Sequence, residues 1–194
     1  MAVVSSTAQR AGRTVNLAER TLMERARDMD GDAWDALYNE HHGAIYRYAQ
    51  LRVGDPGIAE DLASEVFLQA VRGIGRYRYR GISFRTRLYR IAHNVTADHH
   101  RRMASRGRVE VPTNVDDLDP SLPDFAPAVD QRGELETAIR QLTEDQQQVV
   151  ILRFVESLSI AETTAATNRS EGAVKALQHR GVARIHQLMS GEVG

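Results

Sequence analysis

Apolar residues recur every three or four positions through most of this chain. Trp34, Leu37, Tyr38, His41, Ile45, Tyr48 and Ala49 share one helical face and predict a helix over 33–53. Ile58, Leu62, Val66, Ala70 and Ile74 predict another over 56–74. Asp55 is placed to cap it and Pro56 suits its first turn. Phe84, Leu88, Ile91, Ala92 and Val95 form the buried stripe of a third, which Ser83 can cap. A shorter helix over 17–29 precedes them and stops at Asp30-Gly31-Asp32. No useful stretch alternates with the period of a strand, and no repeat is visible.

The C-terminal third carries the most local punctuation. Thr143 and Gln146 form a capping box and open a helix holding Val149, Val150, Leu152, Phe154 and Val155. Ser159 and Glu162 form a second box. Asn168 can adopt the left-handed conformation that ends a helix, and Ser170 can start the next. Val174, Leu177, Val182, Ile185 and Leu188 then lie on one face, with Lys175, His179 and Arg180 on others. This is the plan of a helix-turn-helix, whose second helix enters the DNA major groove. Glu171 at its start suits the helix dipole or a cytosine amine.

Between these regions the periodicity stops. Pro112, Pro120, Pro123 and Pro127 punctuate an acidic stretch, too long for a structureless loop inside one compact domain. The expected fold class is therefore all-α, with two small helical domains joined by an extended acidic linker. The expected boundaries are a disordered tail over 1–16, a helical domain over 17–104, the linker over 105–133 and a helix-turn-helix domain over 134–190.

Charge sharpens that division. The net charge of the 194 residues is −1, unlike a protein that grips DNA alone. Yet eleven arginines and one acidic residue, Asp98, lie between Arg72 and Arg108. Seven acidic residues and only Arg132 against them lie between Thr113 and Glu136. The segregation suggests a basic surface and an acidic tether with different partners. Lys175 is the only lysine; arginine suits phosphates and base edges, and the same bias arises from a GC-rich genome. No cysteine is present, which fits a reducing cytoplasm. Neither a signal peptide nor a membrane span is expected.

Tyr77, Tyr79, Phe84 and Tyr89 are interleaved with Arg76, Arg78, Arg80, Arg85, Arg87 and Arg90. Aromatic rings stack on unpaired bases while arginines follow phosphates, so this stretch suits single-stranded DNA. The competing reading makes Phe84 and Tyr89 core and the arginines a solvated face. The paired histidines His41-His42 and His99-His100, with His93 nearby, lack metal-ligand spacing. Glu60, Asp61 and Glu65 read as a solvated face or a contact for a basic partner. No phosphate loop, nucleophile elbow or cofactor motif appears, so catalysis is not expected.

AEDLASEVFLQAVRGI, SFRTRLYRIAHNVTADHHRR and LTEDQQQVVILRFVESLSIAETTAATNRSEGAVKALQHRGVARI together resemble regions 2 and 4 of bacterial extracytoplasmic-function sigma factors of the sigma-70 family. EGAVKALQHRGV resembles the matching stretch of actinobacterial, BldN-like members. The resemblance implies binding to core RNA polymerase, through its largest and second-largest subunits, and to promoter DNA, both duplex and single-stranded. It implies clamp contacts from Glu60, Asp61, Leu62, Glu65, Val66 and Phe67. It places Tyr77, Arg78, Tyr79, Arg80, Arg85, Arg90 and Asn94 on the −10 element. It places Arg153, Ser170, Glu171, Lys175, Ala176, His179 and Arg180 on the −35 element. An anti-sigma partner is also implied. Val71 and Arg87 stand where the family often has tryptophan.

Two other readings compete. A conventional helix-turn-helix regulator binding duplex DNA as a dimer explains the C-terminal region but leaves the Tyr/Arg loop and the linker without a purpose. A metal-dependent enzyme built on the histidines is more remote.

Overall fold

Short polar side chains begin the helices where the pattern asks for them. The computed structural model describes residues 18–76, 82–105 and 132–190. The expected tail over 1–16, the loop residues Tyr77, Arg78, Tyr79 and Arg80, and nearly all of the acidic linker lie outside the described residues.

Helix α1 covers residues 18–27. Asp30 Oδ1 accepts from Ala33 N at 3.3 Å and opens α2, Gly31–Val53. Gly54, at φ 78°, ends α2 in the left-handed region that favours glycine. Asp55 Oδ1 accepts from Ile58 N at 2.8 Å, and Pro56 fills the first turn of α3, Pro56–Arg72. The expected helix ran on to Ile74. It stops at Gly73, and Ile74–Arg76 form a separate 3-10 turn. Arg87 Nη2 donates to the Gly73 carbonyl at 2.7 Å and completes that stop. Arg87 thus ties α4, Phe84–Ser105, to the end of α3. Ser83 Oγ accepts from Thr86 N at 3.2 Å and caps α4 as expected.

The second unit starts at α5, Arg132–Arg140. Both halves of the Thr143–Gln146 box are made, and α6 follows as Glu144–Val150. The expected helix through Val155 does not continue as an α-helix. Ile151–Val155 form a π turn, with Glu156 N reaching back to Ile151 O at 3.0 Å. The wider turn points Phe154 outward and leaves it 43% exposed, whereas Ile151 and Leu152 are buried. Helices α7, Ile160–Thr167, and α8, Glu171–Ser190, complete the described residues. No strand occurs among the described residues.

The two helical units are docked on one another. Leu37, Tyr48 and Phe84 of the first belong to the same continuous apolar cluster as Ile139, Ile151 and Leu158 of the second. Trp34 meets Phe84 edge-on at 6.2 Å, an orientation favoured by the ring quadrupoles.

Candidate nucleic-acid interface

The C-terminal hairpin forms as its caps foretold. Ser159 Oγ accepts from Glu162 N at 3.2 Å, and Glu162 Oε2 accepts from Ser159 N at 2.8 Å. Asn168 sits at φ 55°, ψ 37° and ends α7. Ser170 Oγ accepts from Ala173 N at 3.2 Å and starts α8. Arg169 pairs with Asp145 at 2.6 Å, pinning the turn to the start of α6.

Val174, Leu177, Gly181, Val182 and Ile185 are buried beneath α8. Ser170, Glu171, Lys175, Ala176 and Arg180 are exposed above it. Lys175 Nζ lies 2.6 Å from Glu171 Oε1, and this ion pair lowers the pKa of the Glu171 carboxyl. His179 is only half-buried, with Nε2 enclosed. Arg153 is spent internally: Nε donates to Gln178 Oε1 at 3.1 Å, and Nη1 donates to the Leu158 carbonyl. It braces the π turn against α8.

On the first unit the competing reading of the aromatic residues holds for two of them. Phe84 and Tyr89 are fully buried. Phe84 packs against Trp34 and His41. Tyr89 donates to Glu156 Oε2 at 2.6 Å. Asn94 is exposed on α4. Arg85 and Arg90, expected to face DNA, are committed to the second unit. Arg85 Nη2 donates to Glu156 O at 2.6 Å, and Arg90 Nη2 donates to the Ala165 carbonyl.

Glu156 is the centre of this seam. Its side chain is 1% exposed. Oε1 accepts from Arg47 Nε at 2.8 Å, and Arg47 Nη2 reaches Oε2 at 3.3 Å. Arg85 Nη2 lies 3.5 Å from Oε2. The carboxylate raises the pKa of Arg47. Burial, then the bond to Glu156, raises that of Tyr89. A buried carboxylate is tolerated when it is paired and hydrogen-bonded, and these three side chains do both.

Further along, the seam buries a second polar group. Arg52 is 2% exposed. Its Nη1 donates to Tyr48 Oη at 3.0 Å and to His93 Nδ1 at 3.2 Å. Nε and Nη2 find no partner among the described residues. Burial and the Arg52 charge push His93 and His100 down to about 4.

The α3 face divides. Glu60 and Asp61 are exposed, and Leu62 and Glu65 half-buried. Val66 and Phe67 belong to the core, at 1% and 6% exposure, and support the helix from below. Leu68, unremarked in the sequence, stands 50% exposed. Tyr38 stacks on His42 at 4.6 Å, and His42 Nε2 lies 3.0 Å from Glu60 Oε1. No group of three or more His, Cys, Asp or Glu that could hold a metal occurs among the described residues.

Comparison with known proteins places these surfaces in a family. Sigma-70 region 2 matches residues 37–106, and Sigma-70 region 4 matches residues 132–185. The ECF RNA polymerase sigma factor SigX of Bacillus subtilis is 32% identical, across 81% of this chain and 84% of that protein. This chain belongs to the extracytoplasmic-function sigma factors. The sigma factor BldN of Streptomyces coelicolor is 40% identical over 172 residues; they make up 87% of this chain but 64% of that protein's length. The structure of CnrH in complex with the cytosolic domain of CnrY shares the fold, with a TM-score of 0.69 and 19% identity over 90% of this chain and 99% of that one.

In family terms, region 2 covers most of α2 through α4, and region 4 runs from α5 into α8. The Glu156 seam therefore joins region 2 to region 4. Sequence reasoning did not single out Arg47, Arg52 or Glu156. Arg52 left one signal: it follows Tyr48 by four positions, continuing the buried stripe of α2 with a charge. Glu156 left none, because a glutamate closing an apolar run reads as a solvated helix end.

Proposed function

We propose that this chain binds core RNA polymerase, directs it to promoters and assists their melting, acting by binding rather than by catalysis. The observation that carries the reading is the presence, in order, of both sigma regions, with a polar and exposed outer face on α8. In this reading Ser170, Glu171, Lys175, Ala176 and Arg180 approach the −35 duplex, with His179 at their edge and Arg153 shaping the hairpin beneath them. Arg85, Arg90 and Asn94, with Tyr77, Arg78, Tyr79 and Arg80, serve the −10 element. Glu60, Asp61, Leu62 and Glu65 meet the polymerase clamp over the buried pair Val66 and Phe67.

Two weak DNA-binding modules on one scaffold gain affinity through effective concentration. That accounts for a promoter-reading chain with a net charge of only −1. An anti-sigma protein belongs to the same reading; CnrH was solved with the cytosolic domain of CnrY. No described helix is long and apolar enough to cross a membrane. The dimeric-regulator reading is not favoured, because it gives the region 2 unit no role.

In vitro transcription of genomic fragments with purified core tests the proposal. Promoter-specific transcripts and gel shifts that require both core and this chain are expected. Binding to duplex DNA by the chain alone, with no stimulation of core, would instead favour the dimeric regulator.

A further inference from the structure

We propose that this sigma factor is self-inhibited: its region 4 closes over the −10-reading face of region 2, and Glu156 is the latch. The inference rests on the reading above, in which Arg85 and Arg90 serve the −10 element. It goes further by naming how that site is kept closed before polymerase binds.

Three observations converge on the latch. First, a single carboxylate gathers Arg47, Arg85 and Tyr89, all from region 2, and is itself almost wholly enclosed. Second, Arg85 and Arg90 each donate to a region 4 backbone carbonyl, those of Glu156 and Ala165. Each of these bonds takes one of a guanidinium's five N–H donors and turns the side chain towards region 4, so closure holds both arginines in a direction other than the one DNA would need. Third, the elements that carry the acceptors are built for presentation. The π turn brings Glu156 to the seam, and Ala165 lies on α7, which packs along α4.

The closure also has a built-in weakness. The seam encloses Arg52 with two donor nitrogens unpartnered among the described residues. Gly54, at the end of α2, faces the Arg140 side chain of region 4 nearby. A closed state whose polar contacts centre on one cluster is suited to opening when a partner favours the open form. Core polymerase needs only to bind that form better. The apparent affinity of the closed protein for −10 DNA is reduced by the fraction of molecules that are open.

The absence of cysteine from the chain makes a clean test possible. Gln69 on α3 and His186 on α8 are exposed; replaced by cysteine and spin-labelled, they report the separation of the two units in the full chain. The free protein should give one narrow distance population. Glu156→Gln should broaden it towards longer distances, and Arg47→Gln should do the same from the region 2 side. Added core polymerase should lengthen it in the parent protein. Binding of the non-template strand of a promoter obtained by transcribing genomic fragments should tighten about tenfold or more in Glu156→Gln, if the open form is a minor state.

The proposal fails if the free parent protein already shows the long, broad distribution. It fails equally if both variants keep their helical circular dichroism and leave distances and strand affinity unchanged. Either result leaves the sigma-factor reading intact, since that reading is judged by core-dependent transcription in the parent protein. Loss of that transcription would overturn the function instead.

Discussion

The hydroxyl of Tyr89 donates to Glu156 Oε2 across 2.6 Å, between residues 67 positions apart. One partner is the aromatic residue of α4 that an interleaved Tyr/Arg pattern offered to DNA bases. The other closes the π turn of region 4. Their bond turns a candidate stacking residue into part of an internal seam.

Tyr89→Phe removes that bond and keeps the ring. A hydrogen bond to a charged group is worth about 1.5–3 kcal/mol, and Glu156 retains Arg47 and Arg85. Urea denaturation should therefore show a loss of about that size while the helical signal is preserved. An unchanged midpoint would mean that the two units do not dock this way in solution.

Gly181→Ala tests the packing of α8 against α6. A Cβ at 181 would lie 2.7 Å from Val150 Cγ2. Alanine gains about 1 kcal/mol in helix propensity, whereas forcing a methyl into a filled site costs about 1–3 kcal/mol. Net destabilisation is expected in a thermal melt. Val150→Ala opens the opposing space, so the double variant should recover part of the loss relative to the sum of the two single changes. Strict additivity would show that the two residues do not touch.

Arg180→Ala should weaken −35-dependent promoter use by about 1–3 kcal/mol where the side chain meets a base edge, and less where it meets a phosphate. Lys175→Ala should act in the same direction and also break the pair with Glu171. Transcription from promoters with intact and scrambled −35 boxes reads the effect. If both variants discriminate between the boxes as well as the parent does, the outer face of α8 does not read DNA.

Much of this molecule was legible because it is local. The caps at Asp55, Thr143, Ser159 and Ser170, and the left-handed Asn168, act within a few residues, and each formed as expected. The two-domain division was legible too, from the proline-rich acidic stretch. The docking was not. Arg47 and Glu156 are 109 positions apart, and nothing near either residue announces the other. The π turn was equally hidden, because VVILRFV satisfies an α-helical stripe until Phe154 has to choose a side. Arg87 shows a middle case: an arginine in a segment otherwise read as part of a buried or DNA-facing helix was visible, but its bond to the Gly73 carbonyl needed three-dimensional placement.

Acid should weaken the docked fold before it reaches the carboxylate range. His93 is pushed down to about 4 by burial first and then by Arg52; Asp145 pulls the other way, and Arg169 and Arg101 add smaller downward pushes. His100 is pushed to about 4 by burial, Arg52 and His99. Arg52 Nη1 points at His93 Nδ1, a bond that requires an unprotonated nitrogen. In the unfolded chain a histidine titrates near 6.5. Below that pH the unfolded state binds protons that the folded state refuses, so stability falls as pH drops from about 6.5 towards 4. Above 6.5 the contribution is fully present. Denaturation midpoints at pH 7.5, 6.0 and 5.0 should decline in that order. His93→Gln offers Arg52 a neutral acceptor and should flatten the decline in part, leaving the share carried by His100, His41 and His99, whose pKa values burial also lowers. A decline as steep in His93→Gln as in the parent would show that His93 does not sit neutral beside Arg52.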